Sequence, residues 1–259
     1  MAIMIPHMDF RESKEKVKRA VKHINDLDAM LSDFSDSDFY SLHIDKDVNT
    51  GTNHLRLEID KFPFPVNAAA LIIGDALHNL RSSLDLLYYA TVINCGGTPS
   101  KWTRFPIRDT REELMGVLNS ALKQKQITMD VHDFILDAIK PYEAGNYPLW
   151  AADDLNIRDK HQLLIPVLKA MWFNGIRLED DKQNMIFIGP YIMDEAGSLR
   201  LRELIDKNIT VQDKGQAVTN IFFDIGTPFD GQPVGKTLNN IAEVITCTIK
   251  EFEIIFNFE

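Results

Sequence analysis

Apolar residues recur at intervals of three and four in two stretches near the ends of the chain. Val17, Val21, Ile24, Leu27 and Leu31 predict a helix reaching about Phe34, and Asp9 with Glu12 reads as a capping box that opens it. Val234, Leu238, Ile241, Ile245, Ile249, Phe252 and Phe256 predict a second, closing helix over about 234–257. Strict alternation appears in two short runs: Leu42, Ile44 and Val48, then Leu55, Leu57 and Ile59. The intervening Asn49-Thr50-Gly51-Thr52-Asn53 supplies turn chemistry, so the pair predicts a β-hairpin. Pro63 and Pro65 stop the second strand and launch a long apolar helix within residues 62–100. A loop through Phe105-Pro106-Ile107 follows Gly96 and Gly97. Helices are then expected near 110–125 and 129–139, the latter ended by Pro141, and from about Leu149 to Leu164. Short apolar runs such as Met185-Ile186-Phe187-Ile188 and Ile221-Phe222-Phe223 predict an antiparallel sheet over about 170–225. The expected class is α+β. A helical core (about 66–166), an N-terminal hairpin, a β-rich part and the closing helix are read as one domain spanning 1–259.

The long helix carries the most pointed chemistry. Residues 62–100 hold only three charged residues, Asp75, Arg81 and Asp85, together with His78, in a chain that is 25% charged. So few charges mark a buried segment. Charges held there must pair, reach water or serve a site. At helical pitch Asp75, His78, Ser82, Asp85 and Tyr89 share a face with Arg81 at its edge. Ile73, Ala76, Leu80, Leu84 and Leu87 lie opposite and should face the core. Solvated helix faces usually carry Lys and Glu, and this one has neither.

A second polar segment, Trp150 to His161, sets Trp150, Asp154, Arg158 and His161 on one helical face. Its plain reading is an Asp154–Arg158 pair one turn apart on a solvated surface. Its functional reading is that it opposes the first stripe, so that histidines, arginines and aspartates converge in one cleft and act on a phosphodiester. In that reading His78, Arg81, Asp85 and His161 are the catalytic candidates, and Asp75, Ser82, Asp154, Arg158 and Lys160 the binding candidates. The competing structural reading makes the stripe a buried polar network that fixes helix register.

Composition narrows the classes. The net charge of −10 opposes a protein that lives on non-specific nucleic-acid binding. Two basic runs, Lys14 to Lys22 and Lys101 to Arg111, are diluted by acids and read as solvated faces. Cys95 and Cys247 are the only cysteines, which excludes a disulfide framework and a cysteine-rich zinc site and suits a reducing cytoplasm. No apolar run reaches the roughly 18 residues that span a bilayer, and the first residues do not read as a secretory signal. His and Asp ligands match no recognised metal spacing, so no metal and no cofactor are expected. Gly231-Gln232-Pro233-Val234-Gly235-Lys236-Thr237 resembles a phosphate loop. It has one residue too few between its glycines, and Pro233 lacks an N–H. Neither a nucleophile triad nor a DNA-specific motif is present.

The stretch Gly74 to Asp85 (GDALHNLRSSLD) resembles a widespread group of uncharacterised bacterial proteins. Phe105-Pro106-Ile107, Pro141-Tyr142, Pro148-Leu149-Trp150 and Asp159-Lys160-His161 extend the likeness over about 66–166. The group is in turn faintly similar to HEPN domains, helical modules that often act as dimeric, metal-independent ribonucleases in toxin and phage-defence systems. Arg81 matches the arginine of their motif, while Leu86, Leu87 and Tyr88 stand where its histidine would fall. The resemblance implies a cytoplasmic homodimer that binds or acts on RNA or nucleotides. Arg81 would stabilise phosphate charge, His78 or His161 would move the proton, and Asp85 would orient a histidine. The alternative is a non-catalytic scaffold built on the same polar network.

Overall fold

The computed structural model describes residues 8–37, 39–59, 64–162, 167–189, 191–192, 198–201 and 207–257. The chain is α+β and forms two compact units. The first comprises Met1–Leu27, Asn67–Ile165 and Phe223–Glu259, and the second Asp28–Val66 and Pro166–Phe222. Among the described residues no helix is long and apolar enough to cross a membrane.

The first unit holds the opening part of α1 (Arg11–Asp36), α2 (Val66–Asn94), α3 (Arg111–Lys123), α4 (Met129–Asp133), α5 (Tyr147–His161) and α6 (Val234–Ile255). The Asp9 side chain accepts the Arg11 backbone N–H at 3.1 Å rather than the Glu12 N–H of the expected capping box, and the Phe10 carbonyl accepts the first helical bond from Lys14. Thr110 and Thr128 cap α3 and α4 through the backbone N–H groups of Glu113 and Val131. The helix expected over 129–139 tightens into α4 and then widens into a π-helical segment, Phe134–Ile139. Lys140 ends it at a left-handed φ of 55° before Pro141. The apolar face read from the sequence is the buried one: Ile73, Ala76, Leu80, Leu84 and Leu87 of α2 are all inside, as are Val234 to Phe252 of α6 at the expected spacing. Phe252 is the hub, meeting Phe10, Phe105 and Phe134 edge-on at centroid distances of 6.3, 6.1 and 5.0 Å. Ser13 and Ser83 let α1 and α2 approach closely, each hydroxyl donating to the other's backbone carbonyl at 2.8 and 2.9 Å.

The second unit holds the end of α1 and all the described strands. These are β1 (Tyr40–Lys46), β2 (Asn53–Ile59), β3 (Val167–Asn174), β4 (Ile176–Asp180), β5 (Met185–Ile188), β6 (Tyr191–Ile192), β7 (Ser198–Leu201), β8 (Ile209–Asp213) and β9 (Gln216–Phe222). They form three antiparallel three-stranded sheets, β1-β2-β7, β6-β3-β9 and β5-β4-β8. The hairpin runs from Tyr40↔Ile59 to Lys46↔Asn53. Val48, expected on the first strand, lies in the turn and is 92% exposed. The turn is set by Asp47, whose carboxylate accepts the Asn49 N–H at 2.8 Å, and by Gly51 at φ 67°. The core of this unit packs Phe39, Tyr40, Leu42 and Leu55 with Phe173, Ile176, Leu178 and Ala217.

Candidate functional site

Within the first unit a cleft of about 760 Å³ opens between α2, α3, α5 and the segment 100–108. Three turns of α2 line it through His78, Arg81, Asp85 and Tyr88, and α5 contributes Asp153, Asn156, Ile157 and Lys160. The two helices approach closely at Gly74, where a Cβ would collide with the Asp159 carboxylate.

Arg81 is the centre of the arrangement and is only 9% exposed. Its Nε donates to Asp153 Oδ1 and an Nη to Asp85 Oδ1, each at 2.5 Å, while the other Nη donates to the Phe105 carbonyl at 3.1 Å. Asp85 Oδ1 also accepts the Phe105 N–H at 2.9 Å. The guanidinium and Asp85 therefore grip both backbone groups of Phe105. That fixes the segment carrying Trp102, Arg104 and Arg108 against α2, while Asp153 ties α5 to the same cation. A charge so enclosed is tolerated because charged partners satisfy it.

The other charged groups on the cleft are cationic. Among the described residues Asp85 and Asp153 are the only carboxylates lining it, and both are engaged by Arg81. Arg104, Arg108 and Lys160 are exposed at its edge. Arg104 and Lys160 have no hydrogen bond or ion pair among the described residues, and Arg108 donates to the Ile107 carbonyl. A chain of net charge −10 thus gathers four cations against two carboxylates at one cleft. Trp102 stands at the mouth, 72% exposed, with Lys101 Nζ 5.0 Å from its ring centroid. Burial pushes the Tyr88 phenol up to about 12, so it faces the cleft as a neutral group.

The structure brings together some of the expected site residues and separates others. His78, Arg81, Asp85 and Lys160 share the cleft. His78 Nε2 lies 3.5 Å from Ser82 Oγ on the exposed side of α2. Asp75 is exposed, its carbonyl accepting from the Asn79 amide, and neither it nor Ser82 lines the cleft. The α5 face differs from the expected one by a single residue. Asp154 and Arg158 pair with each other at 2.5 Å on the surface, Arg158 also reaching the Gly226 carbonyl, and exposed His161 is off the cleft. Asp153, Asn156 and Lys160 line the cleft instead, Asn156 buried beside Leu155 and Ala152, Asp153 half-buried and Lys160 exposed at the edge. Sequence reasoning passed over Asp153, Asn156 and Trp102, and it read Arg104 and Arg108 as surface charge. The signal that could have found Asn156 is an uncharged polar residue next to the apolar position Leu155. Where a HEPN histidine would stand, Leu87 is core, Tyr88 is buried and Leu86 is half-buried.

Among the described residues no group of three or more His, Cys, Asp or Glu side chains is arranged to hold a metal. Compared with protein-family models, curated proteins and solved structures, the chain matches none.

Proposed function

We propose that this protein binds a nucleotide or single-stranded RNA in the cleft beside Arg81. The observation that carries the reading is charge placement. An acidic chain gathers Arg81, Arg104, Arg108 and Lys160 against two carboxylates around one concave site, and both carboxylates are tied to Arg81. Phosphates favour such a site, and the exposed indole of Trp102 offers a base a stacking face. Arg81 is a positioning residue in this account. It holds the 100–108 segment in place, and three of its N–H donors are already spent inside the protein. The network at Arg81 also favours the structural reading of those particular residues, and the two readings are compatible: a rigid polar strut supports a binding surface. Among the described residues His78 is the one imidazole lining the cleft, and it is the group that would move a proton if a bound RNA is cut. The HEPN likeness adds the expectation of a homodimer, which light scattering checks.

The salt dependence of binding tests the reading. Three phosphate contacts predict a slope near −2 for log Kobs against log salt, at roughly −0.7 per contact for a single strand. A labelled oligoribonucleotide whose affinity is flat from low to moderate salt would remove the electrostatic basis of the proposal.

A further inference from the structure

Asn156 is the least explained group in the cleft. It sits in mid-α5, lines the cleft and is only 4% exposed. Yet among the described residues nothing hydrogen-bonds its side-chain amide. The amide atoms are not enclosed: they reach the water of the cleft and are free to bond a ligand there. Its neighbours Asp153 and Lys160, one turn to either side on the same face, are respectively engaged with Arg81 and open at the edge. The amide therefore stands with a donor and an acceptor side by side, turned to a cleft whose rim is cationic.

We propose that Asn156 reads the base of the bound nucleotide and that the preferred base is adenine. The inference rests on the nucleotide reading above and adds its specificity. An asparagine amide meets the adjacent N6 amino group and ring nitrogen of adenine with two parallel hydrogen bonds. Cytosine calls for a carboxylate to accept from its amino group, and both carboxylates here are held in ion pairs with Arg81 through Oδ1, whereas the Asn156 amide has no protein partner among the described residues. Guanine's O6/N7 face calls for arginine or lysine. The free cations of this cleft are at its exposed rim, placed for phosphate, while the neutral amide is the buried reader. Uracil can also pair with an amide, but a purine presents the larger face to an aromatic platform such as Trp102.

Equilibrium titration of the protein with AMP, GMP, CMP and UMP tests the assignment, alongside Asn156→Ala and Asn156→Leu. AMP should bind tightest, by about tenfold to a hundredfold over GMP and CMP, the discrimination that one bidentate pair supplies. Both substitutions should erase that preference while phosphate-driven binding persists. Because no protein partner of the amide is lost, neither should lower the melting temperature; the near-isosteric Leu keeps the test valid if Ala leaves a void. Equal affinity for all four nucleotides, or a preference that survives both substitutions, overturns the adenine assignment and leaves the nucleotide reading intact. If neither the four nucleotides nor a labelled oligoribonucleotide binds the wild-type protein, both are overturned.

Discussion

Replacing Arg81 by Met should destabilise the first unit far more than replacing any other arginine of its surface. The change keeps an apolar stem but deletes a cation that is 9% exposed and holds two carboxylates and a carbonyl. Asp85 and Asp153, whose side chains are 31% and 22% exposed, are left without their counter-ion. Stranding a buried charge typically costs about 3–5 kcal/mol, and the residual access of both carboxylates to water argues for the low end, about 3 kcal/mol. For a unit of this size each kcal/mol moves the midpoint by about 2–4 °C, so thermal unfolding should fall by roughly 6–12 °C. Arg158→Met is the internal control. Its pair with Asp154 has the same 2.5 Å separation but lies at the surface, and exposed pairs one helical turn apart are worth about 0.3–0.5 kcal/mol. Adding Asp85→Asn and Asp153→Asn to Arg81→Met should recover part of the loss, since the penalty lies largely in the uncompensated charge. Scanning calorimetry of the four proteins decides the matter. An Arg81→Met midpoint no lower than that of Arg158→Met would refute the strut.

Two pH limits follow from buried groups. Hydrogen bonds from the Asn184 side chain and backbone N–H, and from Lys182 and Lys207, hold the Asp180 carboxyl well below its ordinary 3.8. A folded-state value below the unfolded one gives stability that is complete above about pH 4 and is lost as pH falls toward the folded value; Asp180→Asn should flatten the acid limb of denaturant stability against pH. Tyr88, raised by burial from 10.0 to about 12, works in the opposite direction. The fold favours its neutral form, so stability present below pH 10 should decline between about 10 and 12, and Tyr88→Phe should remove that decline.

The elements with strong periodicity were legible in the sequence. Val234 to Phe252 bury at the spacing read from the chain, and the α2 core face is the one opposite the polar stripe. The hairpin itself followed from turn chemistry between two alternating runs, while Val48 belongs to the turn and the register, Tyr40↔Ile59 to Lys46↔Asn53, is seen only in the structure. What failed was the face of α5. Its polar and apolar residues are evenly spread around the helix, so geometry alone could not choose between Asp154-Arg158-His161 and Asp153-Asn156-Lys160. The choice is made by tertiary partners, Arg81 above all, which lies 72 residues from Asp153 in sequence. The cationic rim was hidden for a related reason. Arg104 and Arg108 look like surface charge until Phe105, between them, is seen pinned to Asp85 and Arg81.

The most direct test of the account is the affinity of the cleft for a short labelled oligoadenylate before and after its cationic rim is reversed. Arg104→Glu and Lys160→Glu together replace two unpaired cations without touching the Arg81 network. The wild-type protein should bind, and the double variant should lose most of that affinity at an unchanged melting temperature. Equal binding by both proteins, or none by the wild type, would contradict the assignment of this cleft to a phosphate-bearing ligand.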